Sequence, residues 1–172
     1  MRYVGIDPSS KTGMVLLDRN GNYLDGFEIT SSEEDTTVQI DQIIDEIFNN
    51  LEPNDVIAIE GFSYNSKGRS IDYQFGLGHA IRLELYRQNI KWIEVAPTQV
   101  KKYASGKGNA SKENMIIPIL RHWSFEHNSN NVRDAFVLAH IARSVRSGVF
   151  TTKYQKEVVE AILAPTATKK RA

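Results

Sequence analysis

Three acids sit where apolar segments stop or start. Asp7 follows Tyr3-Val4-Gly5-Ile6, Glu60 follows Val56-Ile57-Ala58-Ile59, and Asp134 lies near the head of a long apolar helix pattern. A carboxylate fixed at a strand end suits metal or phosphate chemistry. Any one of them alone also reads as a solvated acid opening a turn. Chain-distant acids recurring at strand ends are what a two-metal site needs. Hard Mg²⁺ takes a few carboxylates and keeps water and substrate phosphate as its other ligands. Two such ions about 4 Å apart can activate a water and stabilise the leaving oxygen of a phosphodiester.

The elements that carry these acids follow from periodicity. Residues 2–7 and 13–18 read as strands, with Pro8 closing the first to ladder pairing. Asn20-Gly21-Asn22 signals a turn, and residues 23–29 form a third strand, giving a meander. Thr36 with Gln39 matches a capping box; Ile40, Ile43, Ile44, Ile47, Phe48 and Leu51 then share one helical face. Val56 to Ile59 is a continuous apolar run suited to a central strand. Residues 71–87 read as a helix with apolar residues on more than one side. One face is expected on the sheet and one on a partner protomer, with Gly76 and Gly78 permitting close helix approach. Trp92 to Val95 is a fifth strand, and Pro97 opens a short helix. Ser111 caps a helix that Pro118 is expected to kink or shorten. Asn130 or Asn131 is expected to cap the long helix, which Gly148 ends.

This order predicts an α/β fold, a five-stranded mixed sheet flanked by helices. Strand one lies beside strand four, so Asp7 and Glu60 end neighbouring strands. Residues 1–150 read as one domain, and residues 151–172 as a short helix and a basic tail.

Composition narrows the classes. The 172 residues suffice for one sizeable core. With no Cys, disulfides, zinc–thiolate sites and thiol nucleophiles are excluded. No apolar run approaches the ~20 residues of a membrane span, and Asp7 and Lys11 interrupt any N-terminal signal-like stretch, which fits a cytoplasmic protein. The four His show no zinc spacing; His79 is expected to be structural. Net charge is zero, yet residues 1–60 hold three basic and 13 acidic residues, and residues 61–172 hold 18 basic and 8 acidic. Such asymmetry points to a polyanionic partner.

Several segments together resemble the RuvC Holliday junction resolvases, and among them the bacteriophage or Gram-positive-like branch. They are Gly5-Ile6-Asp7-Pro8-Ser9, Ile59-Glu60-Gly61, Gly76-Leu77-Gly78-His79-Ala80, Val95-Ala96-Pro97-Thr98-Gln99-Val100-Lys101-Lys102, Gly106-Lys107-Gly108-Asn109-Ala110-Ser111-Lys112-Glu113 and Asp134-Ala135-Phe136-Val137-Leu138-Ala139. The resemblance implies a ribonuclease-H-like fold, a homodimer, and Mg²⁺-dependent (or Mn²⁺-dependent) symmetric nicking of four-way DNA, without a small-molecule cofactor. It places the protein in a bacterial or phage-infected cell.

By position, Asp7, Glu60 and Asp134 match three of that family's four metal-binding acids, with Asp7 bridging two ions. The fourth position holds Asn131, a departure: an amide oxygen can ligate Mg²⁺ but adds no negative charge. Either Asn131 is natural variation, or it is an Asp→Asn change that traps an inactive enzyme. The isosteric relation favours the second, on which Asn131→Asp restores cleavage. The resemblance puts Lys101 and Lys112 near the scissile phosphate, where a cation stabilises transition-state charge. Ser9, Ser10, Lys102 and Lys107 are assigned to DNA. The loop from Phe62 to Ser70 is expected to enter the junction. Phe62 or Tyr64 would stack on an unpaired base, at about 1–3 kcal/mol per base, with Lys67 and Arg69 on phosphates; Phe62 also reads as core.

Three other readings stay open: a broader branched-DNA nuclease acting on flaps and forks, a junction-binding protein inactive because of Asn131, and a sugar-kinase-like nucleotide binder. The chain is short for the two-lobed form of the last.

Overall fold

A computed structural model describes residues 1–62 and 71–164. The strands are β1 (Tyr3–Asp7), β2 (Thr12–Leu17), β3 (Tyr23–Ile29), β4 (Val56–Glu60) and β5 (Trp92–Val95). The helices are α1 (Thr36–Asn49), α2 (Ile71–Arg87), α3 (Pro97–Ser105), α4 (Lys112–Trp123), α5 (Asn130–Ser147) and α6 (Lys153–Leu163). One sheet has the order β3-β2-β1-β4-β5. The meander β1–β2–β3 is antiparallel, while β4 joins β1 and β5 in parallel. β1 is buried along its whole length, as its unbroken apolar run requires of a central strand. Arg2 fixes its start through two hydrogen bonds to Asp55, at 2.7 and 3.1 Å, just ahead of β4.

Strand alternation divides the core in two. Val4, Ile6, Met14, Leu16, Ile57 and Ile59 face α1 and α2, packing on Ile43, Ile47, Leu77, Ile81 and Leu85. Tyr3, Val15, Leu17 and Ala58 face the other way, toward α5, α3 and α4. By the same parity Asp7, Gly13 and Glu60 point to the α5 side. Asp7 pairs with Gly13, and Gly13 with Glu28, so these residues form one row across the sheet.

Helix α5 is buried on nearly every side from Asp134 to Ala142. It lies directly on the sheet because two glycines let it. A Cβ at Gly5 would stand 1.9 Å from the Ala135 carbonyl oxygen, and one at Gly13 would stand 2.2 Å from that of Asn131. This contact sets where Asp134 meets the strand ends.

The structure departs from local expectations at several points. The cap of α1 is Asp35, whose side chain accepts from the N–H groups of Thr37 and Val38, rather than Thr36. The cap of α5 is Ser129, accepting from Val132 N–H, rather than Asn130 or Asn131. Each helix start offers several Ser, Thr, Asp or Asn residues, and only backbone geometry picks among them. Pro118 does not end α4, which runs on to Trp123. The backbone partner it removes belongs to exposed Asn114, and Met115 and Ile119 anchor the helix in the core. Helix α6 packs into the α5-side core through Val158 and Val159. His79, expected to be structural, is exposed on α2 with its ring against that of Phe62. The buried histidine is His140, ring-stacked on Trp123 at 4.8 Å and held neutral, its pKa pushed down to about 3 by burial. No described helix is long and apolar enough to cross a membrane.

Candidate active site

The acids meet at the carboxyl ends of β1 and β4. A cleft of about 280 Å³ there is lined by Asp7, Glu60, Asp134, Asn131, Lys101 and Lys112, with Ser9, Phe62 and Arg82 at its walls. Asp7 is 8 % exposed and Asp134 9 %. The chain turns away from β1 at Pro8, and buried Thr12 locks the turn by donating its hydroxyl to the Ser9 carbonyl at 2.7 Å.

Burial first, and then the charge of Asp134, pushes the Asp7 carboxyl up to about 7, against a smaller pull from Lys112. Burial, followed by Asp7 and Asp134, pushes Glu60 up to about 9, with Lys112 and Lys101 opposing. Asp134 is also raised, chiefly by burial. Lys112 opposes that shift most, with its Nζ 3.3 Å from Asp134 Oδ2. Three desolvated, mutually repelling carboxylates are therefore short of positive charge. A set of hard oxygen donors in that condition fits Mg²⁺. Among the described residues, no three His, Asp or Glu side chains form a group able to hold one ion.

Asn131 lies in the same cleft. Its Nδ2 donates to the Lys11 carbonyl at 2.8 Å and to Glu28 Oε1 at 3.4 Å. Phe62 is half-buried, its ring 5.0 Å from that of Phe75 and 4.5 Å from that of His79. Gly78 serves this approach rather than a helix contact, since a Cβ there would stand 2.6 Å from Phe62 Cε1.

Other assigned residues lie elsewhere. Ser10 is exposed in the turn. Lys102 points to α6, where it pairs with Glu157 at 2.8 Å. Lys107 lines a separate cavity with Asn109, Asn114 and Pro118. Neither lysine joins the cleft: α3 presents Lys101 and Lys102 to different sides, and Lys107 lies past the helix end at Gly106. Tyr64, Lys67 and Arg69 lie outside the described residues.

Arg82 and Glu28 had no signal in the sequence. Arg82 donates to the carbonyls of Glu60 at 3.0 Å and Gly78 at 2.8 Å. It also grips the Glu94 carboxylate at 2.7 and 3.0 Å, and its guanidinium lies 4.5 Å over the Phe62 ring. It thus ties the end of β4 to α2 and β5. Arg82→Met is expected to cost about 2 kcal/mol in urea unfolding, from charge-assisted bonds lost to a half-exposed Glu94. An unchanged midpoint would contradict the role of Arg82 in holding β4.

The family model for crossover junction endodeoxyribonuclease RuvC matches residues 3–142. The chain belongs to the RuvC family. A RuvC of Helicobacter pylori (strain G27) is 32% identical over 130 residues, covering 70% of this chain and 81% of the relative. A RuvC of Aliarcobacter butzleri (strain RM4018) is 26% identical over 128 residues, covering 70% and 82%. The Thermus thermophilus RuvC structure superposes with a TM-score of 0.69 at 20% identity, over 86% of this chain and 97% of that one. A T. thermophilus RuvC in complex with Holliday junction substrate gives a TM-score of 0.65 at 19% identity, over 86% and 96%. The five-stranded mixed sheet is thus the ribonuclease-H-like fold of RuvC proteins, as the sequence resemblance implies.

Proposed function

We propose that this chain is a Mg²⁺-dependent endonuclease that resolves four-way (Holliday) junctions by paired symmetric nicks, with water as nucleophile. The observation that carries this reading is the convergence of Asp7, Glu60 and Asp134 from three chain-distant elements in one cleft beside Lys101 and Lys112. Asp7 would be shared between two ions, Glu60 and Asp134 would each hold one, and Asn131 would add a neutral oxygen. Bound Mg²⁺ (or Mn²⁺) supplies an activated water and charge neutralisation at the leaving oxygen.

The chain's own groups do the rest. Lys112, 46% exposed at its side chain and resting on Asp134, is placed to neutralise a phosphate entering the cleft. Lys101 approaches the same acids from α3. Ser9 offers a hydroxyl at the cleft wall. Phe62 stands at the cleft wall two residues after Glu60, and Arg82 holds the Glu60 carbonyl.

Homodimerisation is supported by α2. Opposite its buried face, Leu83 and Tyr86 are 49% and 73% exposed one turn apart. Two protomers joined there would present two clefts to opposed strands. The sequence relatives named above come from Helicobacter and Aliarcobacter, and the bacteriophage or Gram-positive-like branch is read from the sequence motifs; action in a bacterial or phage-infected cytoplasm is in keeping with membership of the RuvC family.

The test is a substrate panel with Mg²⁺. The expected result is faster nicking of a labelled four-way junction than of a flap or a linear duplex. Equal rates on flap and junction would favour the broader nuclease. Tight junction binding without cleavage would favour a binding protein.

A further inference from the structure

Glu28 belongs to edge strand β3 and lies outside the acid set, yet it faces α5 on the same sheet row as Asp7. Its Oε1 accepts from the Ser129 hydroxyl and from Asn131 Nδ2. The same Nδ2 donates to the Lys11 carbonyl. Both partners of this amide nitrogen, a backbone carbonyl and a carboxylate, are acceptors. Chemistry therefore dictates which end of the amide points at them, although its two ends have nearly the same shape. The nitrogen is tied to Lys11 and to β3, and the oxygen is the end left for the cleft. A carboxylate at position 131 would set a charged oxygen against both acceptors.

We propose that Glu28 is a positioning residue that demands an amide at position 131, so that a neutral oxygen and not a fourth carboxylate completes the set of Asp7, Glu60 and Asp134. This rests on the metal-dependent reading above. It reverses the expectation that Asn131 is an inactivating change: the surroundings of this side chain are built for Asn. Ser129 reinforces the arrangement, since its oxygen caps α5 by accepting from Val132 N–H at 3.2 Å while its hydroxyl binds Glu28. The first turn of α5 is thereby held to the sheet by the same carboxylate that orients Asn131.

Two measurements test it. The first is urea and thermal unfolding without metal or DNA, on the parent chain, Asn131→Asp, Glu28→Gln and the double variant. Asn131→Asp is expected to lower Tm by roughly 5 °C. Adding Glu28→Gln should restore most of that loss, because Gln offers the new carboxylate a donor. The second is Mg²⁺ binding by calorimetry. Glu28→Ala is expected to weaken binding about tenfold, and Glu28→Gln to keep it, a difference that a purely structural Glu28 would not produce. An Asn131→Asp protein as stable as its parent, no recovery in the double variant, or faster nicking by Asn131→Asp would each overturn the proposal. The unfolding cycle needs no catalysis, so its outcome stands apart from whether the chain cuts junctions.

Discussion

Asp7→Asn is expected to abolish Mg²⁺-dependent nicking and, in the metal-free protein, to raise stability at alkaline pH. The two effects share one cause. Asp7 is a carboxylate that the fold buries beside other acids, which pushes it from its ordinary value of 3.8 up to about 7. Between those values the folded chain keeps a proton that the unfolded chain has released. Stability of the metal-free protein therefore falls as pH rises through that window, by about 1.4 kcal/mol per pH unit for each such proton. Glu60 extends the fall toward about 9. Removing the charge at Asp7 removes its part of the slope and relieves Glu60. Urea unfolding in chelator at pH 5, 7 and 9 should show variant and parent converging at the acid end. At pH 9 the variant should gain on the order of 3 kcal/mol. Mg²⁺ should raise the Tm of the parent more at pH 8 than at pH 5.5, because binding displaces those protons. A variant no more stable than its parent at pH 9 would show that the acids are not crowded as described.

Gly5→Ala is expected to cost about 3 kcal/mol or more, the upper range for overpacking. The added methyl would meet backbone on two sides, the Ala135 carbonyl at 1.9 Å and the Ala139 nitrogen at 2.6 Å. No rotamer change relieves a backbone contact, so α5 must lift from the sheet. Asp134 would move with it, away from Asp7, and nicking should fall more than folded fraction alone explains. Chemical denaturation gives the first quantity, and nicking by protein shown to be folded gives the second. Wild-type stability in this variant would contradict the close seating of α5.

Much of this was legible in the residues because the informative strands are central. β1 and β4 are continuous apolar runs ended by an acid, and their neighbouring positions follow from element order alone. The bounds of α2 and the Gly148 end of α5 were equally readable, since long periodic patterns and a positive-φ glycine leave few alternatives. What escaped depends on chain-distant partners. Arg82 looks like one more charge on a helix until Glu94 and the Glu60 carbonyl are placed beside it. Glu28 sits between Phe27 and Ile29 on an edge strand, is exposed there, and carries no local mark of its partners. Nothing local shows that α5 lands on Gly13 and brings Ser129 and Asn131 to it. Lys101 and Lys102 are adjacent in sequence, and only the seating of α3 shows that one faces the cleft and the other Glu157.

The cleft is expected to cut opposed strands of a four-way junction with Mg²⁺. The direct measurement labels each strand of such a junction in turn and follows nicking with Mg²⁺ or chelator, for the parent chain and Asp7→Asn. The expected result is cuts at symmetric positions in two opposed strands, with Mg²⁺ and the parent chain alone. Cleavage that survives chelation or Asp7→Asn, or a junction left intact by the parent chain with Mg²⁺, would contradict it.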